Sequence, residues 1–100
     1  MQAAIDALSH PSRRALLRLV LDQELPVGEL AERLGLSQPA ASQHLKVLRD
    51  AGLVRGRVHG RRRLYRVDLQ GLQRLRQELD TLWEPALLAL KEAAEAGDRP

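Results

Sequence analysis

The chain has no cysteine and no phenylalanine, and only one tryptophan and one tyrosine. Without thiols there can be no disulfide, no thiolate metal site and no cysteine nucleophile. With aromatics at 2%, the core has to be aliphatic, built from Leu, Ala and Val. No apolar run approaches the ~18 residues of a membrane span. The N-terminus lacks the basic region and long apolar segment of a signal peptide. A cytoplasmic protein with no membrane partner is therefore expected. A phosphate-cradling glycine loop and a His/carboxylate pair at useful spacing are also missing, and 100 residues leave little room for an enclosed pocket. These absences argue against an enzyme and against a bound cofactor.

What is present fits one domain. Hydrophobic residues reach 44%, enough for a modest core that pairing with a second copy would help to complete. Net charge is +3, unevenly spread. Residues 1–67 hold twelve of the sixteen Lys and Arg and six of the thirteen acids; residues 68–100 hold the remaining four and seven. A basic body with a mildly acidic end suits a polyanion on one face.

The most informative stretch is Ser37 to Gly52, SQPAASQHLKVLRDAG. Ser37 is an N-cap candidate and Pro39 falls in the first turn, where a missing N–H costs nothing. Ala41, Leu45 and Leu48 recur at helical spacing as one narrow apolar face, and Gly52 supplies the left-handed stop. The opposite face carries Gln38, Ser42, Gln43, His44 and Lys46, with no acid before Asp50. Amides, hydroxyls and cations are the groups that match base edges and phosphates. An ordinary amphipathic surface helix would also have a polar face, so the neighbouring segments decide.

Met1 to Leu8 is a short helix candidate with Ala4, Ile5 and Leu8 on one side. His10-Pro11 breaks it, and Pro11 opens a second helix reaching about Asp22, with Ala15, Leu16, Leu19 and Val20 buried. Arg13 and Arg14 sit in its first turn, against the helix dipole, an arrangement that calls for an outside anion or leaves two solvated arginines. Leu25-Pro26 reads as a linker. Val27 to Leu34 is a third helix, with Val27, Leu30, Ala31 and Leu34 on one face. A Gly-containing turn of three or four residues joins it to the next helix, making a helix-turn-helix. In that unit the second helix enters the major groove.

Beyond Gly52 the period changes to two β-type runs, Leu53 to Val58 and Leu64 to Val67, with His59-Gly60 as the hairpin turn. Between Asp50 and Asp68 there is no acid, and six arginines: Arg55, Arg57, Arg61, Arg62, Arg63 and Arg66. A charge run is usually a solvated face. Six on one hairpin beside a candidate recognition helix weigh towards a DNA-contacting wing, whose arginines add salt-dependent affinity. From Leu69 to about Ala96 runs the longest helical pattern. Its stripe of Leu72, Leu75, Leu79, Leu82, Trp83, Ala86, Leu87 and Leu90 is more apolar than a small core can cover, and Pro85 should kink or divide it. Such a patch marks an interface. The reading is a dimerisation helix, with Ile5 and Leu8 of the first helix beside it. Gly97 to Pro100 reads as a polar tail.

The fold expected is thus mainly α with a small β-hairpin, a winged helix-turn-helix in the order ααααββα. The segments ALSHPSRRALLRLV, LPVGELAERLGLSQPAASQHLKVLRDAGLV and GRRRLYRV together resemble the ArsR/SmtB family of bacterial winged-helix repressors, over about residues 4–95. The resemblance implies a homodimeric repressor on an inverted-repeat operator. It also implies DNA contacts from Gln38, Ser42, Gln43, His44 and Lys46 on the helix and from Arg57, Arg61, Arg62 and Arg63 on the wing; Ser37, Arg13 and Arg14 are added from their positions.

The chain departs from the family's metal sensors. Pro26 and Gly28 stand where their cysteine pair lies, and the last helix has Glu78, Asp80, Glu84, Glu92 and Glu95 without a histidine. Carboxylates alone suit zinc or softer metals poorly, so no metal site is expected, and no residue points to an inducer. His10 stands where relatives often carry an Asp cap. His10 and His59 are expected in solvent, and a site joining His10, His44 and His59 would need separated elements to converge. The competing readings are a winged helix whose basic hairpin docks an acidic protein, and a nonspecific architectural DNA binder.

Overall fold

The computed structural model describes residues 1–97. Its elements run α1 (Gln2–Leu8), α2 (Pro11–Leu19), β1 (Leu25–Pro26), α3 (Val27–Leu34), α4 (Gln38–Asp50), β2 (Val54–His59), β3 (Arg62–Val67) and α5 (Leu69–Gly97). This is the expected winged helix-turn-helix with one strand more. Leu25-Pro26, read as a linker, pairs antiparallel with β3, Leu25 opposite Tyr65 and Pro26 opposite Leu64. The sheet order is β1-β3-β2. β1 is therefore an edge strand, where a residue without an N–H is tolerated, and Leu25 is buried. The second helix also ends earlier than its periodicity suggests. The Val20 carbonyl accepts a hydrogen bond from the Val67 amide at 2.9 Å, which ties the chain to the end of β3 and turns it away from the helix axis.

The core is aliphatic. Leu16, Val20, Leu30, Leu45, Leu48 and Leu53 are its largest fully buried side chains. Leu17 joins them although it lies off the expected stripe of α2, because α2 packs on both α3 and α4. In the helix-turn-helix, Gly35 closes α3 with φ 65°. Ser37 then caps α4, its hydroxyl oxygen accepting from the Ala40 amide at 3.2 Å. All three apolar residues of the α4 stripe, Ala41, Leu45 and Leu48, have no exposed surface. Gly52, with φ 77°, follows the end of α4. The hairpin turn falls one residue later than expected. His59 pairs with Arg62 in the ladder, and Gly60-Arg61 make the loop. Gly60 takes the positive φ of 63° that a two-residue loop of this kind needs at its first position.

α5 begins where the sheet ends. Asp68 caps it, Oδ1 accepting from the Gly71 amide at 3.1 Å. The first turn lies so close to the end of α4 that a Cβ on Gly71 would overlap the Gly52 carbonyl oxygen. Leu72 packs partly against the core and Leu75 is buried in it. Leu75, assigned above to the dimer face, is thereby spent on the chain's own core. Beyond it, every residue from Arg76 to Gly97 is exposed. The helix runs unbroken through Pro85, so the expected division there does not occur. At 1.5 Å per residue α5 is about 43 Å long, and its free part accounts for an envelope of 67 × 26 × 21 Å. No described helix is long and apolar enough to cross a membrane. Of the tail read at Gly97 to Pro100, residues 98–100 lie outside the described residues.

Candidate nucleic-acid interface

With its apolar stripe sealed against the core, α4 can present only its polar side. Ser37, Gln38, Ser42, Gln43 and Lys46 are all exposed. Gln38 also lines a groove of about 540 Å³ shared with Arg61, Arg62 and Arg63 of the wing. The start of α4 and the tip of the wing therefore border one depression, bringing an amide and three guanidinium groups to the same side of the molecule. Glu29 and Glu32 of α3 line it too; Glu29 is held by Arg33 at 2.7 Å.

Five of the six wing arginines divide into two groups; Arg66, exposed on β3, makes no ion pair among the described residues. Arg57 makes a bidentate pair with Glu24, both bonds 2.7 Å. Those hydrogen bonds hold the Glu24 carboxyl below its ordinary range. Arg55 lies 3.1 Å from Asp68, whose carboxyl is held low first by the Gly71 amide and then by Arg55. Arg55 and Arg57 are thus occupied by acids from outside the hairpin, tying it to the loop before β1 and to the start of α5. Arg61, Arg62 and Arg63, around the turn, are exposed and make no ion pair among the described residues. Arg57 was grouped with these three by sequence; its geometry places it with Arg55.

Arg13 and Arg14, adjacent in sequence, also diverge. Arg14 donates from Nη1 to the Leu8 carbonyl at 2.7 Å. That oxygen is at the C-terminal end of α1, where a helix favours a cation, so Arg14 has an internal acceptor. Arg13 has its Nε buried with no acceptor. Beside it, His10 is the N-cap of α2, Nδ1 accepting from the Ser12 amide at 3.2 Å. His10 thus fills the capping role with its ring nitrogen. His44 of α4 is half-buried and packs on His10, ring centroids 4.6 Å apart. Burial, then the nearby charges of His10 and Arg13, push the His44 pKa below its ordinary value. Two of the three histidines therefore do converge, because α1 and α2 both pack across α4. His59 stays apart on the exposed wing. No cluster of three or more metal-binding side chains forms among the described residues.

The expected dimer face separates in the same way. Leu79, Leu82, Trp83, Leu87 and Leu90 are exposed, from 43% to 68%, as is Ile5 on α1. Leu8 and Leu72 are half-buried against the core. Sequence reasoning placed His10 at a cap position but not against His44, and it missed Glu24 and Asp68. The Asp68 cap had a local signal, an acid just ahead of a helical pattern. Glu24 had none, since its partner is 33 residues away.

Comparison with known proteins agrees with this arrangement. The sequence model described as "Bacterial regulatory protein, arsR family" matches residues 10–55. The HTH-type transcriptional regulator Rv2034 of Mycobacterium tuberculosis is 49% identical over 84 residues, which is 84% of this chain and 78% of that protein. A solved possible transcriptional regulator for arsenical resistance superposes with a TM-score of 0.75 at 41% identity, covering 88% of this chain and 94% of that one. The homodimeric winged helix-turn-helix DNA-binding domain Mb0332 of Mycobacterium bovis gives a TM-score of 0.69 at 28% identity, covering 83% and 77%. A polar helix and a basic wing facing one groove, on this fold and with these relatives, make the chain a member of the ArsR family of winged helix-turn-helix, DNA-binding transcriptional regulators.

Proposed function

We propose that the protein is a homodimeric, cytoplasmic repressor with no enzymatic role, binding an inverted-repeat operator. The observation that carries the reading is the groove bordered jointly by Gln38 of α4 and Arg61, Arg62 and Arg63 of the wing. A base-reading helix and a phosphate-binding hairpin on one side of a domain are the two halves of a winged-helix DNA interface. Gln38, Ser42 and Gln43 read base edges; each good bidentate contact is worth about 1–3 kcal/mol of discrimination. Lys46 and the wing-tip arginines hold phosphates. The uncovered stripe of α5 from Leu79 to Leu90 pairs with a second copy, together with Ile5. The twofold axis then spaces the two α4 helices about one DNA turn apart, roughly 34 Å. A dimer seated this way over a promoter excludes polymerase.

The test is fluorescence anisotropy on DNA from upstream of the protein's own gene and on a scrambled duplex, across a salt series. A preference of at least ~10³-fold for the first supports a specific repressor. Equal, steeply salt-dependent binding to both would support an architectural role instead. Failure to bind either duplex would support the protein-docking alternative.

A further inference from the structure

The wing and α4 account for most of the basic surface, but one basic cluster lies outside the groove they share. His10, Arg13 and His44 come together from the start of α2 and the middle of α4. His44 lies six residues beyond Gln38 along α4, about 9 Å. The cluster has three features. Both rings are in contact, 4.6 Å between centroids. The Arg13 Nε is buried and donates to nothing among the described residues, which leaves the outer nitrogens of its guanidinium as the groups that can meet an anion. And among the described residues the charges that act on His44 are those of His10 and Arg13, both basic. The acids of the surrounding helices are engaged elsewhere or lie apart: Asp6 of α1 accepts from Gln2 at 2.8 Å, Glu29 of α3 pairs with Arg33, Glu32 lines the wing groove, and Asp50 lies near Arg49. Arg14 is bonded to the Leu8 carbonyl.

Resting on the DNA-binding reading above, we infer that His10, Arg13 and His44 form one site for a DNA backbone phosphate, and that filling it takes up a proton at His44. The two imidazoles have different parts. His10 accepts the Ser12 amide through Nδ1 and so holds the cap of α2. His44 has no such bond among the described residues. Without DNA, burial and two basic neighbours keep it neutral at physiological pH. A phosphate oxygen beside the Arg13 guanidinium and His44 supplies negative charge, which favours the imidazolium. The proton comes from solvent, and the phosphodiester does not titrate in this range. Because the complex binds a proton that the free protein does not, affinity rises as pH falls through the window between the two His44 pKa values.

The test uses anisotropy on a labelled duplex of arbitrary sequence at low salt, since a phosphate site needs no particular bases. Between about pH 8 and about pH 6 the wild-type affinity should rise, approaching at most tenfold per unit for one linked proton. His44→Gln should weaken binding and flatten the pH dependence. His10→Asn retains a capping acceptor and removes one basic neighbour, so the dependence should move to higher pH. His59→Gln, on the wing, should leave the slope as it is. Histidine C–H NMR should show the His44 pKa higher with DNA than without. A flat wild-type profile, a slope that survives His44→Gln, or one that disappears with His59→Gln would overturn the site while leaving DNA binding intact. Absence of binding at every pH would overturn the DNA-binding reading and this site together.

Discussion

α4 and α5 are both amphipathic helices with leucine stripes at the same spacing, and their fates are opposite. The stripe of α4, from Ala41 to Leu48, is fully buried inside its own chain. The stripe of α5 is buried only as far as Leu75, and Leu79, Leu82, Trp83, Leu87 and Leu90 stand in solvent. The difference lies in what each helix runs into. α4 starts from a short turn after α3 and is crossed by α1, α2 and α3. α5 leaves the domain after two turns. A helical apolar pattern therefore states that a face must be covered; the topology states by whom. For α4 the covering surface is the domain; for α5, whose stripe lies open, the proposed cover is a second molecule.

The largest effects should come from attacking the two stripes. Leu45→Ala leaves a cavity in the core and should lower stability by about 2–5 kcal/mol in urea denaturation, independently of protein concentration. Trp83→Asp places a charge on a side chain that is 63% exposed. It should leave the fold intact, convert a dimer to a monomer by sedimentation and weaken DNA binding. If Trp83→Asp stays dimeric, the contrast between the helices fails. Gly71→Ala attacks the place where they meet. Its Cβ would overlap the Gly52 carbonyl, so the start of α5 has to shift away from the end of α4. Overpacking of this kind costs about 1–3 kcal/mol. It should also lower DNA affinity, because the arm that carries the proposed dimer face is then aimed differently. Unchanged stability would mean that this contact yields freely.

Much of this was legible because it is local. Ser37 as a cap, Gly52 as a stop, the helix-turn-helix and the order of the hairpin all depend on residues a few positions apart. What was not legible depends on partners far away in sequence. β1 has two residues, too few to show alternation, and exists only because Tyr65 and Leu64 lie opposite. Arg57 looked like its neighbours at the wing tip until Glu24 was placed beside it. Arg13 and Arg14 are adjacent and identical, yet one reaches the end of α1 and the other, half-buried, keeps its Nε without an acceptor among the described residues. The meeting of His10 and His44 follows from how α2 crosses α4, which composition and spacing do not encode. Leu75 could not be separated from Leu79, because a helical stripe carries no mark where the domain ends.

The smallest and sharpest test of the comparison is at the N-caps. Ser37 caps α4 with a hydroxyl, and Asp68 caps α5 with a carboxylate that also meets Arg55. Ser37→Ala should cost about 1 kcal/mol, and the cost should not vary with pH, since a hydroxyl does not titrate. Asp68→Asn keeps an acceptor on the Gly71 amide and removes only the charge, so the loss near pH 7 should be smaller, about 0.3–1 kcal/mol. Its pH dependence follows from the direction of the shift. The Asp68 pKa is lower in the folded chain, so its contribution is complete above the unfolded value of about 3.9 and is lost as pH falls through the folded one. Denaturation of wild type and Asp68→Asn should therefore differ near neutrality and converge in acid below about pH 3.9, while the Ser37→Ala gap persists. Convergence of both pairs would mean that acid loosens α4 as well, and the two helices would then not be anchored independently.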